Sequence, residues 1–154
     1  MQEFKKAEKL LRRFKAGKYH FGQGILEEAL KSASSMGRKA ILFRGSFPGS
    51  GAYIDLITSS LKKSGIALAG IFKGARPNSP KEDVQKMVTA IDKADPDFVI
   101  TFGGGSNIDA AKAALVLNAF GGDLDDYFGV GRVSAAIKDS GKKLLPHLTI
   151  QTIA

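Results

Sequence analysis

Short apolar runs alternate along the chain with stretches whose apolar residues recur every three or four positions. Residues 40–43 (AILF), 66–72 (IALAGIF) and 98–102 (FVITF) have the length and β-branched or aromatic content of buried strands. Between them the period lengthens. Residues 23–36 place Ile25, Leu26, Ala29, Leu30 and Ala33 on one helical stripe, and residues 52–63 turn Ile54, Ile57 and Leu61 inward. The turn at 77–80 opens a helix running to about residue 93, with Pro80 near its first turn and Val84, Met87, Val88 and Ile91 inward. Residues 106–120 form a further helix. Residues 18–21 read as a short strand, and 144–150 contain the last one.

Strands alternating with helices of this length predict βαβ units and an α/β fold. The expected architecture is a Rossmann-like parallel sheet with helices on both faces, because its crossovers are right-handed. The ligand crevice of such a sheet lies at the carboxyl ends of its strands. Both glycine-rich loops, GSFPGSG at 45–51 and GGGS at 103–106, fall at such ends.

Charge adds an N-terminal feature. The chain of 154 residues carries a formal +8, and Lys5, Lys6, Lys9, Arg12, Arg13, Lys15 and Lys18 face only Glu3 and Glu8 in its first eighteen residues. Phe4, Ala7, Leu11 and Phe14 recur there at helical spacing, which predicts a basic amphipathic helix over 1–18, ahead of an α/β domain over 19–154. A helix with a solvated basic face is the expected reading. A contact of this helix with nucleic acid or an anionic surface is an alternative, and Glu3, Glu8 and scarce serine argue against a transit peptide. No apolar run approaches the roughly 20 residues of a membrane span, and no secretory signal opens the chain. A cytoplasmic protein with no membrane and no nucleic-acid partner is expected. With no cysteine and two histidines, His20 and His147, no transition-metal site is expected. A chain closing on an apolar strand without a covering helix is expected to be part of a longer protein.

The stretch TFGGGSNIDAAK at 101–112 carries the candidate chemistry. A helix's first turn leaves backbone N–H groups unpaired, and the helix dipole adds positive charge there. Glycines let a pyrophosphate approach that backbone without a Cβ in the way. Ser106 adds a hydroxyl, while Ala110, Ala111, Ala113 and Ala114 keep the helix slim. Ser106 with Asp109 also reads as a capping-box-like pair, which needs no ligand. The dinucleotide fingerprint would need glycine where Ile108 stands, and no Gly-Lys-Ser/Thr occurs.

GGGSNIDAAK at 103–112 closely resembles the GGGSxxDxAK signature of the iron-containing (group III) alcohol dehydrogenases. FGQG at 21–24 is similar to that family's FGxG, and Pro77-Asn78 to its PNP loop, with Ser79 standing before Pro80. The segment 146–154 resembles the approach to PTTAGTGSE, with Gln151 and Ile153 replacing the proline and second threonine. The resemblance spans about residues 19–154. It implies an N-terminal domain that binds NAD or NADP. It also implies a C-terminal helical domain, not represented here, that holds iron or zinc through an aspartate and three histidines. The chain alone is then expected to be inactive, with no catalytic residue of its own.

By the same resemblance, Gly104, Gly105 and Ser106 hold the pyrophosphate and Asn78 approaches it from the neighbouring loop. Asp109 sits near the nicotinamide, and Thr149 and Thr152 approach its side. Lys112 either faces the crevice or is solvated. NAD-preferring members place an aspartate where Gly45 stands. Its absence, with Ser46 as a donor and Arg44 or Lys73 to neutralise charge, points to NADP over NAD. The implied substrate is a small alcohol or aldehyde, and the implied assembly a homodimer. A glycerol or polyol dehydrogenase of the same superfamily, or a non-enzymatic nucleotide-binding module, are the alternatives. Ser106 favours the alcohol dehydrogenase branch.

Overall fold

A computed structural model describes residue 4, residues 6–10 and residues 19–152. Four parallel strands form its sheet: β1 (Lys39–Arg44), β2 (Ala67–Lys73), β3 (Phe98–Gly103) and β4 (His147–Gln151), in the order β2-β1-β3-β4. β1 pairs with β3 from Ala40↔Phe98 to Arg44↔Phe102, and β3 pairs with β4 from Val99↔His147 to Gly103↔Gln151. All four carboxyl ends therefore lie along one edge.

Alternation along the two inner strands divides the core. Ile41, Phe43 and Val99 face helices α3 (Lys81–Ala94) and α4 (Gly105–Phe120), packing on Val84, Met87, Ile91, Ala110 and Ala114. Ala40, Leu42, Phe98 and Ile100 face the other way, onto Leu30 of α1 (Leu26–Ser32) and Ile54, Ile57 and Leu61 of α2 (Ser50–Lys63). Helices thus cover both faces, as expected. Ala110, Ala111 and Ala114 are fully buried, so α4 lies flat on the sheet through side chains of minimal size.

Two expectations are corrected. Residues 19–21 form no strand; the rings of Tyr19 and Phe21 stack 6.3 Å apart and stay exposed. Aromatic content made them look β-like, but no sheet edge pairs with them among the described residues. The helix expected over 23–36 is shorter, beginning after the left-handed Gly22 and Gly24 and ending in a 3₁₀ turn at Ala33–Ser35. There the hydroxyls of Ser32, Ser34 and Ser35 bond back to carbonyls three residues earlier, which tightens the turn. Residues 124–140, to which the sequence pattern assigns no element, are ordered into two. They hold a 3₁₀ turn (Leu124–Tyr127) with a capping box between Asp123 and Asp126, and helix α5 (Arg132–Ser140), which buries no residue. Of the basic helix expected over 1–18, residues 4 and 6–10 are helical and the remainder lies outside the described residues. No helix among the described residues is long and apolar enough to cross a membrane.

Candidate functional site

The carboxyl strand tips are knitted together by their own backbone. Gly45 N–H donates to the Phe102 carbonyl (2.7 Å), Gly74 N–H to the Arg44 carbonyl (2.8 Å) and Thr152 N–H to the Gly103 carbonyl (3.2 Å). Gly103 sits at φ 154°, a conformation that side chains resist, and turns the chain from β3 into α4. Gly104 is the N-cap residue and makes no side-chain cap. The N–H groups of Gly105 and Ser106 make no hydrogen bond among the described residues. A Cβ built on Gly105 would meet nothing within 4 Å, so the helix opens onto free space.

Ser106 does not cap the helix with Asp109. Gly104 holds the N-cap position two residues earlier than a Ser106 cap requires, and Ser106 turns to the neighbouring loop instead. Its hydroxyl oxygen accepts Asn78 N–H at 3.1 Å, and Ser79 Oγ donates to the Ser106 carbonyl at 2.7 Å. The Ser106 hydroxyl keeps its own proton to donate. Asn78 and Ser79 both adopt left-handed backbone (φ 65° and 49°), a strain of roughly 1–3 kcal/mol each that these two bonds hold in place. Asp109 stands exposed farther along α4, 3.2 Å from Lys112.

Asn107, which the sequence did not single out, braces the site from below. It is 3% exposed. Its Nδ2 donates to the carbonyls of Phe43 and Phe102 (both 3.2 Å), and its Oδ1 accepts Ala75 N–H (3.3 Å). One side chain thus ties α4 to the tips of β1 and β3 and to the loop after β2. Gly74 is required beside it, because a Cβ there would fall 2.1 Å from Asn107 Oδ1.

On the other side of the loop, Gly45 and Ser46 line a cleft of about 190 Å³ with Arg44, Lys73, Gly74, Ala75, Arg76 and Pro77. Arg44 and Lys73 are register partners across β1 and β2. Neither forms an ion pair among the described residues. Arg76, also unanticipated, pairs with Asp83, whose carboxyl it holds well below the usual range through side-chain and backbone hydrogen bonds. An arginine just before Pro77-Asn78 and an aspartate seven residues on were the only sequence signals for that pair.

Thr152 stays at the tips through its bond to Gly103, whereas Thr149 lies three residues back, opposite Thr101. His147 lies further from the edge, its Nε2 2.8 Å from Thr101 Oγ1. Burial first, then nearby Lys112, lowers its pKa to about 4, so it is neutral at pH 7. Among the described residues no group of three or more His, Cys, Asp or Glu could hold a metal ion, so iron does not fit this donor set.

A model of the family described as iron-containing alcohol dehydrogenase matches residues 16–154. A probable NADH-dependent butanol dehydrogenase of Bacillus subtilis is 32% identical over 136 residues, covering 87% of this chain and 33% of its own length. An NADPH-dependent butanol dehydrogenase of Clostridium saccharobutylicum is 35% identical over 97 residues, 63% of this chain and 24% of its own. Among solved structures, the NADH-dependent butanol dehydrogenase A of Thermotoga maritima superposes with a TM-score of 0.70 at 27% identity, covering 87% of this chain and 32% of that one. The chain spans about a third of the length of the first of these relatives.

Proposed function

The chain belongs to the iron-containing alcohol dehydrogenase family, and from that premise we propose that it supplies the dinucleotide-binding part of an alcohol dehydrogenase, with NADP preferred over NAD. The observation that carries this reading is the opening of α4: two unpaired N–H groups, no Cβ in front of Gly105, and a Ser106 hydroxyl with its proton to spare. An anion there gains the N–H groups, the dipole and the hydroxyl together. A pyrophosphate on Gly104, Gly105 and Ser106 directs one end of the dinucleotide towards Gly45 and Ser46 and the other along β4 past Thr152. Asn78 flanks the phosphates, and Asp109 and Thr149 flank the nicotinamide side.

When bound, the nicotinamide supplies the hydride acceptor or donor. The residues of this chain bind it, orient it and keep the strand tips rigid beneath it. The alcohol or aldehyde substrate, the metal, whether iron or zinc, and a homodimer belong to the same proposal at the level of the whole enzyme.

The preference for NADP rests on charge. Among the described residues no carboxylate lines the cleft at Gly45, and Arg44 and Lys73 beside it form no ion pair. A ribose phosphate is attracted there, whereas a ribose hydroxyl gains little. Calorimetric titration of the chain is expected to give saturable binding of both nucleotides, with NADP⁺ about tenfold tighter. Equal or tighter NAD⁺ binding removes the preference. No binding of either removes the reading.

A further inference from the structure

We propose that Arg76, clamped by Asp83, is a specificity-determining residue that grips a phosphomonoester on the adenosine ribose; this rests on the dinucleotide reading above. Arg76 follows β2 and lines the cleft that holds Gly45 and Ser46. It also lines an adjoining cleft of about 270 Å³ with Lys73, Gly74, Asp83 and Lys86. Among the described residues it is the arginine that lines both, with Lys73 beside it.

Its position is fixed from behind. Asp83 lies in the first turn of α3, and only 8% of it is exposed. Its carboxylate accepts Arg76 Nε at 2.8 Å, Nη2 at 3.1 Å and the Arg76 backbone N–H at 3.0 Å. That fork uses one edge of the guanidinium. Nη1 makes no hydrogen bond to the fork, and the Arg76 side chain is 56% exposed. A planar donor already held in place loses little side-chain freedom on meeting an anion.

The surroundings favour a dianion. Arg44, Lys73, Arg76 and Lys86 line the two clefts, against Asp83 within and Glu82 at 3.5 Å from Nη2. The positive surplus attracts a phosphomonoester, and a bare ribose hydroxyl draws almost nothing from it. The competing role for the pair is purely architectural, pinning the 74–77 loop to α3. An architectural pin would affect NADP⁺ and NAD⁺ alike.

The test is calorimetric titration of the chain and two variants with NADP⁺ and NAD⁺. Arg76→Gln alters an exposed side chain and is expected to weaken NADP⁺ about tenfold while NAD⁺ stays within about twofold. Asp83→Asn removes a negative charge, so simple attraction would tighten NADP⁺; the clamp requires NADP⁺ to weaken instead, with NAD⁺ again little changed. Equal losses for both nucleotides, or no loss, in Arg76→Gln overturn the proposal. Tighter NADP⁺ in Asp83→Asn overturns the clamp. If the unaltered chain binds neither nucleotide, the dinucleotide reading itself fails and takes this inference with it.

Discussion

Gly105→Val is expected to abolish dinucleotide binding while leaving the fold in place. The argument for an intact fold is local. Nothing lies within 4 Å of a Cβ at Gly105, the residue is exposed, and its backbone is not left-handed. Valine is a better helix former than glycine, so the helix itself does not object. The argument for lost binding is equally local. A branched side chain stands where a phosphate must come within hydrogen-bonding distance of the Gly105 and Ser106 N–H groups, and the anion cannot use those donors from farther away. Affinity should fall at least about 100-fold, or roughly 2.7 kcal/mol. The melting temperature should move by no more than about 3 °C, the shift that follows from a change of about 1 kcal/mol in a chain of this size. Titration and thermal melting of the same sample check both. Retained binding would mean that the pyrophosphate rests elsewhere.

The largest stability effect is expected from Asn107→Ala. This substitution leaves the Ala75 N–H without its side-chain acceptor and takes a donor from the Phe43 and Phe102 carbonyls. The site is buried, so water does not readily replace the amide. Each buried polar group left unsatisfied costs about 1–3 kcal/mol, and the Phe102 carbonyl keeps Gly45 N–H as a second partner. A total loss of roughly 2–4 kcal/mol follows, which lowers the melting temperature by about 5–15 °C. The effect should extend to the site, because Asn107 holds the tips of β1 and β3 and the loop after β2 in one arrangement. A melting temperature within about 2 °C of the unaltered chain would show that the brace contributes little.

Much of this was legible because the signals were local. The runs 40–43, 66–72 and 98–102 became β1, β2 and β3, and the stripes through Ile54–Leu61 and Val84–Ile91 became α2 and α3 with ends shifted by a residue or two. The glycine loop was readable because a strand end followed by glycines and a slim helix has one geometry in a parallel sheet. What stayed hidden depends on contacts between distant segments. Residues 19–21 have strand-like side chains, but a strand exists only where another pairs with it. Helix α5 is set by left-handed Gly131 and Gly141 at its two ends rather than by a buried stripe, so a search for inward-facing residues passes over it. Ser106 and Asp109 had capping-box spacing, yet the tertiary contact with Asn78 and Ser79 captured the serine. Asn107 looked like an ordinary polar residue in a first turn. Only the convergence of three strand tips makes it a brace.

The most direct test of the central claim is to map backbone amide shifts of the chain as NADP⁺ is added. The largest saturable changes are expected at Gly104, Gly105 and Ser106, with a second group at Gly45, Ser46 and Arg76. Changes confined to residues remote from the strand tips, such as α5, or no changes at saturating nucleotide, would contradict it.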